Sequence, residues 1–397
     1  MKGPTPRRIR RYVDQCLRLK SYLRNPGDGR PRGQIPARHL LWSLLIGFVL
    51  RESSFHAVEA LVCSKARRAL GVGRDFGDDA LSYFTERLDP TPTRKALATA
   101  LTQAKRNKAF DDARFIGIAV DGTTTARCAS EGCSLCRPSK DSKGEITGYK
   151  HHVVMASIVG TGLSLPVDME PYGPGDSEYA AGQRILGRVV KNLGRRFAQY
   201  TVVDGAFATA PFLHVADDLG LRVIARLKAN LPELFLAAQT RYENKPPHRT
   251  FHSGSDRIEI WDADDFDPWE ALHWKTVRVI RYRQHKAGGT IVDAYWLTNF
   301  SIHTVGSESL YRMAKARWEV ENQGFNDAKN RYGFQHISHH HANSLLLCWL
   351  LLALALTIER LFRLRHLHRG THKPHSAIEL LRLLRLSLAA PGLANTS

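Results

Sequence analysis

The stretch RFIGIAVDG (114–122) decides the fold, because the sequence changes there from helical to β-rich patterning. Two more short β-rich runs follow it, HHVVMASIVG (151–160) and LSLPVDMEP (163–171), with glycine and proline between them. Three strands this close in sequence are able to form an antiparallel meander. The region therefore predicts the first half of a mixed sheet.

The chain after this meander alternates helices with strands. A long amphipathic helix begins at Glu178, the strand YTVVDG (200–205) follows, and a second helix near Ala208 leads to the strand LRVIARLKA (221–229). Strands that alternate with helices are joined by crossovers and run parallel. Three strands, helix, strand, helix and strand is the order of a ribonuclease H-like fold.

The flanking regions complete the predicted organisation. The chain up to residue 110 reads as basic and helical, with a break at Pro-Thr-Pro (90–92), and β-prone runs interrupt the helical crossovers after residue 230. We predict an α/β core with a ribonuclease H-like mixed sheet, a β insertion, and α-helical regions at both ends. The predicted regions are a basic helical region (1–110), the first part of the ribonuclease H-like domain with a cysteine loop at 128–152 (111–230), the β insertion (231–302), two helices that complete the domain (303–362), and a basic tail (363–397).

The charge of the chain indicates its partner. The 57 Lys and Arg residues against 38 Asp and Glu give 397 residues a formal charge of +19. Such an excess favours a polyanion, with nucleic acid as the first expectation and an acidic membrane as the second. The first forty residues resemble a basic arm, and their candidate DNA contacts are Arg7, Arg8, Arg10 and Arg11.

Apolar runs and cysteines indicate the compartment. The runs at 40–50 and 345–358 are shorter than the roughly 20 residues that a bilayer span needs, so both predict buried core helices and no membrane contact. No secretory signal opens the chain. Six cysteines, three of them clustered, do not form the framework of a secreted disulfide protein. We therefore expect a cytoplasmic protein.

Two aspartates occur in the same local setting. Asp121 in IAVDG and Asp204 in TVVDG each follow an apolar run that predicts a strand. An aspartate in a strand-to-turn position is the ordinary explanation of one such motif. Two of them at the ends of neighbouring strands would share one rim of the sheet, where their repulsion favours a bound divalent cation. We predict that both are catalytic metal ligands.

A third carboxylate is expected from the helix that follows the β insertion. The segment RWEVENQGFNDAK (317–329) offers Glu319 and Glu321, which lie about 200° apart on an α-helix and cannot both face the site. Arg317 precedes Glu321 by four residues and lies on nearly the same face. We therefore predict Glu321, while a solvated helix with an ordinary ion pair remains the alternative.

These motifs together resemble a known family. IAVDGT, VVDGAF and RWEVENQGFNDAKN, followed by the apolar helix LLLCWLLLALAL, are similar to the DDE transposases of bacterial insertion sequences that carry a β insertion before the Glu helix. The resemblance covers about residues 75 to 362. It implies that Asp121, Asp204 and Glu321 form the acidic metal-binding triad, and that Arg317 and Lys329 contact DNA phosphate. The family lysine commonly lies seven residues after the Glu, where this chain has Ala328.

The resemblance also implies a reaction and its partners. Such an enzyme binds the ends of its element in double-stranded DNA, cleaves a phosphodiester with two Mg²⁺ or Mn²⁺ ions, and joins the 3′-hydroxyl to target DNA, working as a homodimer. Two other functions stay open: a catalytically silent, domesticated DNA-binding protein, and a structure-selective nuclease of the same fold. Serine hydrolases and nucleotide-binding enzymes are not supported, since their motifs are absent from the sequence.

The cysteine loop predicts a different metal. Cys128, Cys133 and Cys136 have C-x4-C-x2-C spacing, and His151 and His152 lie on the next predicted strand. Three cysteines and one histidine form a closed tetrahedral zinc site, which is typically structural. The family resemblance favours His151 as the fourth ligand. Free thiols in a flexible loop are the alternative.

Several other polar or aromatic groups are explained more simply. Asp176 and Glu178 are expected to cap and charge a helix start, and the family resemblance leaves a supporting role near the catalytic site as the alternative. The tryptophans of the β insertion are expected in the core, with stacking on a flipped base, as in hairpin-forming relatives, as the alternative. The histidines of QHISHHHANS (335–344) are expected at a polar helix entrance, with metal binding as the alternative. The Arg/His-rich segment at 360–375 either contacts DNA or is solvated.

Overall fold

The computed structural model describes residues 4–364 and 376–389, which form helices around one large mixed sheet. The helices are α1 Pro6–Arg11, α2 Lys20–Arg24, α3 Ala37–Val49, α4 Phe55–Cys63, α5 Arg67–Leu70, α6 Asp78–Arg87, α7 Pro90–Arg106, α8 Glu178–Leu193, α9 Ala210–Asp218, α10 Pro232–Tyr242, α11 Ser307–Lys315, α12 Arg317–Glu319, α13 Asn326–Arg331, α14 Ala342–Phe362 and α15 Ala377–Ala389. The strands are β1 Gly117–Cys128, β2 Arg137–Lys140, β3 Ile146–Val159, β4 Leu165–Tyr172, β5 Tyr200–Val203, β6 Arg222–Leu227, β7 Arg249–Ser253, β8 Asp256–Phe266, β9 Val277–His285 and β10 Ile291–Thr298.

The sheet has the predicted connectivity. Its strands follow the order β2-β3-β1-β5-β6-β10-β9-β8-β7, and β4 also pairs with β3. Strands β1, β5 and β6 are parallel, while β3 is antiparallel to both β1 and β4. The core order β4-β3-β1-β5-β6 is that of a ribonuclease H-like sheet, so the predicted fold class is confirmed. The short strand β2, which lies in the cysteine loop, is not expected from the sequence.

The β-prone region after residue 230 does not form a separate small sheet. It begins with the helix α10, and its last strand β10 pairs antiparallel with β6. Without β10, the backbone groups of β6 would be unpaired on that side. The four strands β7 to β10 therefore extend the central sheet.

The helical N-terminal part differs from prediction at one point. Pro90 and Pro92 do not break the chain before α7 but lie in its first turn. Asp89 caps the helix by accepting a hydrogen bond from the Thr91 N–H at 2.8 Å. Proline is tolerated in the first turn because its missing N–H has no partner there in any helix.

Helix α14 lies at the centre of the molecule. It packs against the N-terminal helices α3, α6 and α7 on one side and against β4 on the other. It is longer than the predicted run and, among the described helices, is the one that could cross a membrane by length and composition, yet 94% of its most apolar window is buried inside the protein. The helix therefore joins the N-terminal region to the sheet.

Candidate active site

The two aspartates lie at the same edge of the sheet. The parallel pairing of β1 with β5 ends at Val120 opposite Val203, so Asp121 and Asp204 are the next residues on each strand. Asp121 does not end its strand, as the sequence suggested, because β1 continues to Cys128 in antiparallel pairing with β3. Asp121 and Asp204 lie at one rim because the parallel pairing of β1 with β5 ends directly before both residues.

Arg317 connects two of the predicted triad residues. Its guanidinium donates a hydrogen bond to Asp121 Oδ2 at 3.0 Å and lies 3.7 Å from Glu321 Oε2. The Arg317 and Asp121 side chains are only 12% and 17% exposed, whereas that of Glu321 is 55% exposed. The Arg317 guanidinium therefore holds Asp121 and Glu321 on the same side of the sheet.

A lysine that the sequence analysis did not single out neutralises the second aspartate. Lys228 follows β6, the parallel neighbour of β5, and its Nζ donates to both carboxylate oxygens of Asp204 at 3.2 Å. The Asn230 side chain accepts from the Lys228 N–H and donates to the Gly205 carbonyl, which ties the two strand ends together. A lysine at the end of the next parallel strand was the available sequence signal.

The two aspartates have opposite pKa shifts. Burial raises the pKa of Asp121 to about 6, with Arg317 acting against this and the charges of Glu178 and Asp204 adding to it. Burial also acts to raise the pKa of Asp204, but the hydrogen bond and charge of Lys228 outweigh it and hold the pKa below the ordinary value. A carboxylate with a raised pKa in a cluster of like charges is the electrostatic setting that a bound cation relieves.

The raised pKa of Asp121 makes a prediction about stability. The folded protein binds a proton more tightly than the unfolded chain, so this residue lowers the free energy of unfolding as the pH rises from about 4 to about 6. Asp121→Asn removes that loss. Without Mg²⁺, the free energy of unfolding of the variant is therefore expected to exceed that of wild type by up to about 3 kcal/mol above pH 6, and by much less near pH 4.5. Urea unfolding at both pH values measures it. A pH-independent difference would contradict the assignment.

A fourth carboxylate lies against Asp121. A Cβ atom at Gly122 would be 2.3 Å from the Glu178 carboxyl carbon, so the glycine leaves the space that this side chain fills. Tyr172 donates a hydrogen bond to Glu178 Oε2 at 3.2 Å. Glu178 places its charge in the first turn of α8, as expected, whereas the side chain that caps this helix is that of Ser177. The glycine after Asp121 was the signal for this close approach.

Glu319 points away from the rim, as the helical geometry predicts. Its Oε2 accepts a hydrogen bond from the Gly160 N–H at 3.1 Å. It lines a cavity of about 840 Å³ together with Tyr200 and Arg249. That cavity is near Gly160 and Tyr200, at the opposite end of β1 from Asp121. The predicted triad of Asp121, Asp204 and Glu321 thus lies at the rim of the sheet and does not line this cavity.

The helix that carries Glu321 contains a local irregularity. Residues Val320–Phe325 form a π-helical segment between α12 and α13. A π-helical segment accommodates one extra residue, so a residue eight positions after Glu321 occupies the face that the seventh would occupy in an α-helix. Lys329 is that residue, and its Nζ donates to Thr123 Oγ1 at 2.7 Å, two residues beyond Asp121 on β1. The π-helical segment therefore explains how Lys329, eight residues after Glu321, lies on the same face as the family lysine at seven residues.

The cysteine loop and β3 bring two groups of metal-binding side chains together. Cys133, Cys136 and His151 form one trio, in which Cys133 Sγ and Cys136 Sγ are 3.9 Å apart and lie 3.2 and 3.4 Å from His151 Nε2. Cys128, Cys136 and His340 form a second trio, with all ligand atoms within 4.8 Å. His152 instead lies near Thr124 and Tyr172. His340 belongs to the segment 335–344, for which metal binding was the alternative to a polar helix entrance.

The other candidate DNA contacts are distributed as follows. Arg7, Arg8, Arg10 and Arg11 belong to α1, a helix and not an extended arm. Arg10 donates to Asp14 at 2.9 Å and lies over the Trp42 ring, whereas Arg7 and Arg11 are exposed. Residues 365–375 of the basic tail lie outside the described residues.

The tryptophans of the extended sheet belong mainly to the core. Trp261 and Trp296 are buried, and Trp269 and Trp274 are partly buried. Tyr311, six residues before Arg317, is also buried and packs edge-on against Tyr282. None of these rings is among the groups that contact Asp121, Asp204 or Glu321 in the described part of the chain.

Comparisons with known proteins give three findings. A family model described as a transposase DDE domain matches residues 113–358. A cryo-electron-microscopy structure of the piggyBac transposase synaptic complex with hairpin DNA is similar at 10% identity and a TM-score of 0.45, over 98% of this chain and 83% of that chain. No curated protein matches the sequence.

Proposed function

Because the chain belongs to the family with a transposase DDE domain, we propose that it binds the ends of its own insertion element, cleaves them by phosphodiester hydrolysis, and joins the 3′-hydroxyl to target DNA. The observation that carries this proposal is the rim of the sheet where Arg317 contacts both Asp121 and Glu321, beside Asp204. The proposed catalytic residues are Asp121, Asp204 and Glu321.

The residues at this rim fit divalent cations of the hard class. All of the negative donors are carboxylates. Asp121 and Asp204 each have one cationic partner, Arg317 and Lys228, while the charges of Asp204 and Glu178 still raise the pKa of Asp121. Carboxylate oxygens are the ligands that Mg²⁺ and Mn²⁺ prefer. Two such ions bound by these residues would activate the attacking oxygen and stabilise the leaving one.

The side chains around the carboxylates have separate proposed tasks. Arg317 holds Asp121 and Glu321 in one orientation, and its charge is also able to contact a phosphate of the cleaved strand. Lys329 on α13 contacts Thr123, which lies two residues beyond Asp121 on β1, and from there it would contact the DNA backbone next to the scissile phosphate. Asp121 must lose its proton before it binds a cation, so the Mg²⁺ affinity of this site should fall as the pH is lowered through about 6.

DNA binding is proposed to follow from charge and exposure. The net charge of +19 provides the long-range attraction, and Arg7, Arg8, Arg10 and Arg11 on α1 are proposed contacts in addition to Arg317 and Lys329. Phosphate contacts release counterions, so binding should weaken steeply with salt. We further propose a homodimer that holds both ends of the element, and a cytoplasmic location at the nucleoid.

The cysteine loop is proposed to bind one structural zinc ion. A tetrahedral zinc shell places two sulfur ligands about 3.8 Å apart and a sulfur about 3.5 Å from a nitrogen. The distances among Cys133, Cys136 and His151 are 3.9, 3.2 and 3.4 Å. The fourth position has two candidates, Cys128, which the sequence predicts, and His340. Such an ion would fix the hairpin that continues β1 beyond Asp121.

The test is cleavage and joining of the element's own ends. Purified protein is incubated with a labelled duplex that carries the sequence flanking its gene, and with a duplex of scrambled ends, in Mg²⁺ or Mn²⁺. We expect nicking at the terminus of the first duplex only, followed by transfer of its 3′-end to a supercoiled plasmid. Specific binding without cleavage would indicate a silent DNA-binding protein. Cleavage of branched DNA without joining would indicate a structure-selective nuclease.

A further inference from the structure

We propose that His340 is the fourth ligand of the zinc ion, which would make the metal a bridge between the cysteine loop and the segment that follows the Glu321 helix. This inference rests on the zinc ion proposed above. Cys133 and Cys136 lie between β1 and β2, and His151 lies on β3. His340 comes from the connection between α13 and α14, nearly two hundred residues further along the chain.

The local geometry places the His340 ring beside the cysteines. Cys128, Cys136 and His340 have ligand atoms within 4.8 Å of one another, and Cys136 is shared with the trio that contains His151. The His151 and His340 rings are 6.3 Å apart between centroids. Both imidazoles therefore approach Cys136, and zinc is a metal that two sulfur and two nitrogen ligands commonly bind.

Gly132 provides the space for this approach. A Cβ atom at this position would lie 2.4 Å from His340 Nδ1, which is closer than atoms approach without displacement. The Gly132 N–H also donates a hydrogen bond to Cys136 Sγ at 3.4 Å, a contact that would support this sulfur as a metal ligand. The absence of a side chain at Gly132 therefore leaves room for the His340 imidazole to approach Cys136.

Cys128 is the competing donor, because its Sγ also lies within 4.8 Å of Cys136 Sγ. The Cys128 thiol donates to the Tyr149 carbonyl across the β1–β3 pair at 3.9 Å, so it has a partner without a metal. His340 is exposed and projects from a connection with little regular structure. A ligand from this connection has a larger structural effect, because it closes a long loop of chain.

The consequence concerns both halves of the proposed active site. Asp121 and the cysteine loop are on β1 and its continuation, whereas Glu321 is carried by the helical segment that ends at Arg331, nine residues before His340. A zinc ion with ligands on both would restrain the strand of Asp121 relative to the helix of Glu321. Metal release would then loosen the connection at 332–341 as well as the cysteine loop.

The experiment measures zinc binding by the full-length protein. Wild type, His340→Ala, Cys128→Ser and Gly132→Ala are purified under reducing conditions, and His336→Ala removes an exposed histidine of the same segment as the control. Zinc content is determined by mass spectrometry, and zinc affinity by competition with a chromogenic chelator. Replacing a group that only supports a ligand weakens binding about 10-fold to 100-fold, so loss of a ligand should cost at least as much.

We expect His340→Ala and Gly132→Ala to weaken zinc binding by about 10-fold or more, and Cys128→Ser and His336→Ala to leave it within about threefold of wild type. Cobalt substitution gives a second readout, because the thiolate-to-cobalt absorption of a shell with two cysteines should be unchanged in Cys128→Ser. If Cys128→Ser lost zinc binding and His340→Ala retained it, Cys128 would be the fourth ligand. That result would overturn the inference about His340 but not the proposed zinc ion. A wild-type protein that binds no zinc would overturn both, and neither result bears on DNA cleavage.

Discussion

Asp121→Ala is expected to lower the rate of end cleavage by about a thousandfold or more, while binding to the same ends stays within a few-fold of wild type. The aspartate lies at the rim where the parallel pairing of β1 and β5 ends, and Arg317 holds it on the side of Glu321. Metal-bound charge stabilisation contributes several kcal/mol to such a reaction, and about 4 kcal/mol corresponds to a thousandfold in rate. Asp204→Ala and Glu321→Ala should give losses of the same order.

Glu319→Gln is the matched control for these variants. Glu319 is two residues from Glu321, but it accepts a hydrogen bond from the Gly160 N–H away from the rim, and glutamine retains an acceptor for that bond. Single-turnover cleavage and a gel-shift assay at fixed salt separate the chemical step from binding. We expect Glu319→Gln to cleave at close to the wild-type rate. Equal cleavage by Glu321→Ala and wild type would remove Glu321 from the proposed triad.

A large part of this site could be predicted from local sequence. Asp121 and Asp204 each follow an apolar run, and these two runs form the parallel strands β1 and β5. Their position at one rim of the sheet therefore follows from the strand order. Helical periodicity separates Glu319 from Glu321 without any tertiary information. These inferences succeeded in placing residues because they depend only on the periodicity of strands and helices.

The parts that the sequence did not predict depend on contacts between distant segments. Glu178 reaches Asp121 over a glycine, Lys228 reaches Asp204 from the next parallel strand, and His340 reaches Cys136 from the start of α14. No periodicity relates these partners. The π-helical segment is a further example, since seven and eight residue spacings differ by a full 100° unless the helix is locally widened.

Asp168→Asn is expected to lower the free energy of unfolding by about 3 to 5 kcal/mol, the largest stability effect predicted for this protein. Asp168 on β4 is only 2% exposed in its side chain, and it accepts hydrogen bonds from Arg94 at 3.0 Å and from Arg188 at 2.6 Å. Both arginines also contact Glu170. Burial raises the pKa of Asp168, but the charges of Arg188 and Arg94 and the hydrogen bond from Arg188 act in the opposite direction and stabilise the ionised carboxylate. Asp168 differs from Asp121 in having two arginine partners, and removal of its charge leaves two guanidinium groups with a single carboxylate in a largely buried position.

The same network connects regions that the sequence treats as separate. Arg94 belongs to α7 in the N-terminal helical region, and Arg188 belongs to α8, whose first turn carries Glu178 beside Asp121. Loss of Asp168 should therefore weaken the seating of α7 and α8 on β4 together. Hydrogen exchange is expected to become faster in both helices at once, and to change little in the distant strands β7 and β8.

Asp265→Asn is the control for a surface pair. Asp265 accepts a hydrogen bond from Arg241 at 2.8 Å, but the two side chains are 60% and 48% exposed. Exposed pairs contribute about 0 to 1 kcal/mol, because water screens the charges and both side chains lose mobility. Urea unfolding of the two variants at pH 7.5 compares the same substitution in two environments. If both variants changed stability by the same small amount, Asp168 would not be the buried anchor between the N-terminal helices and the sheet.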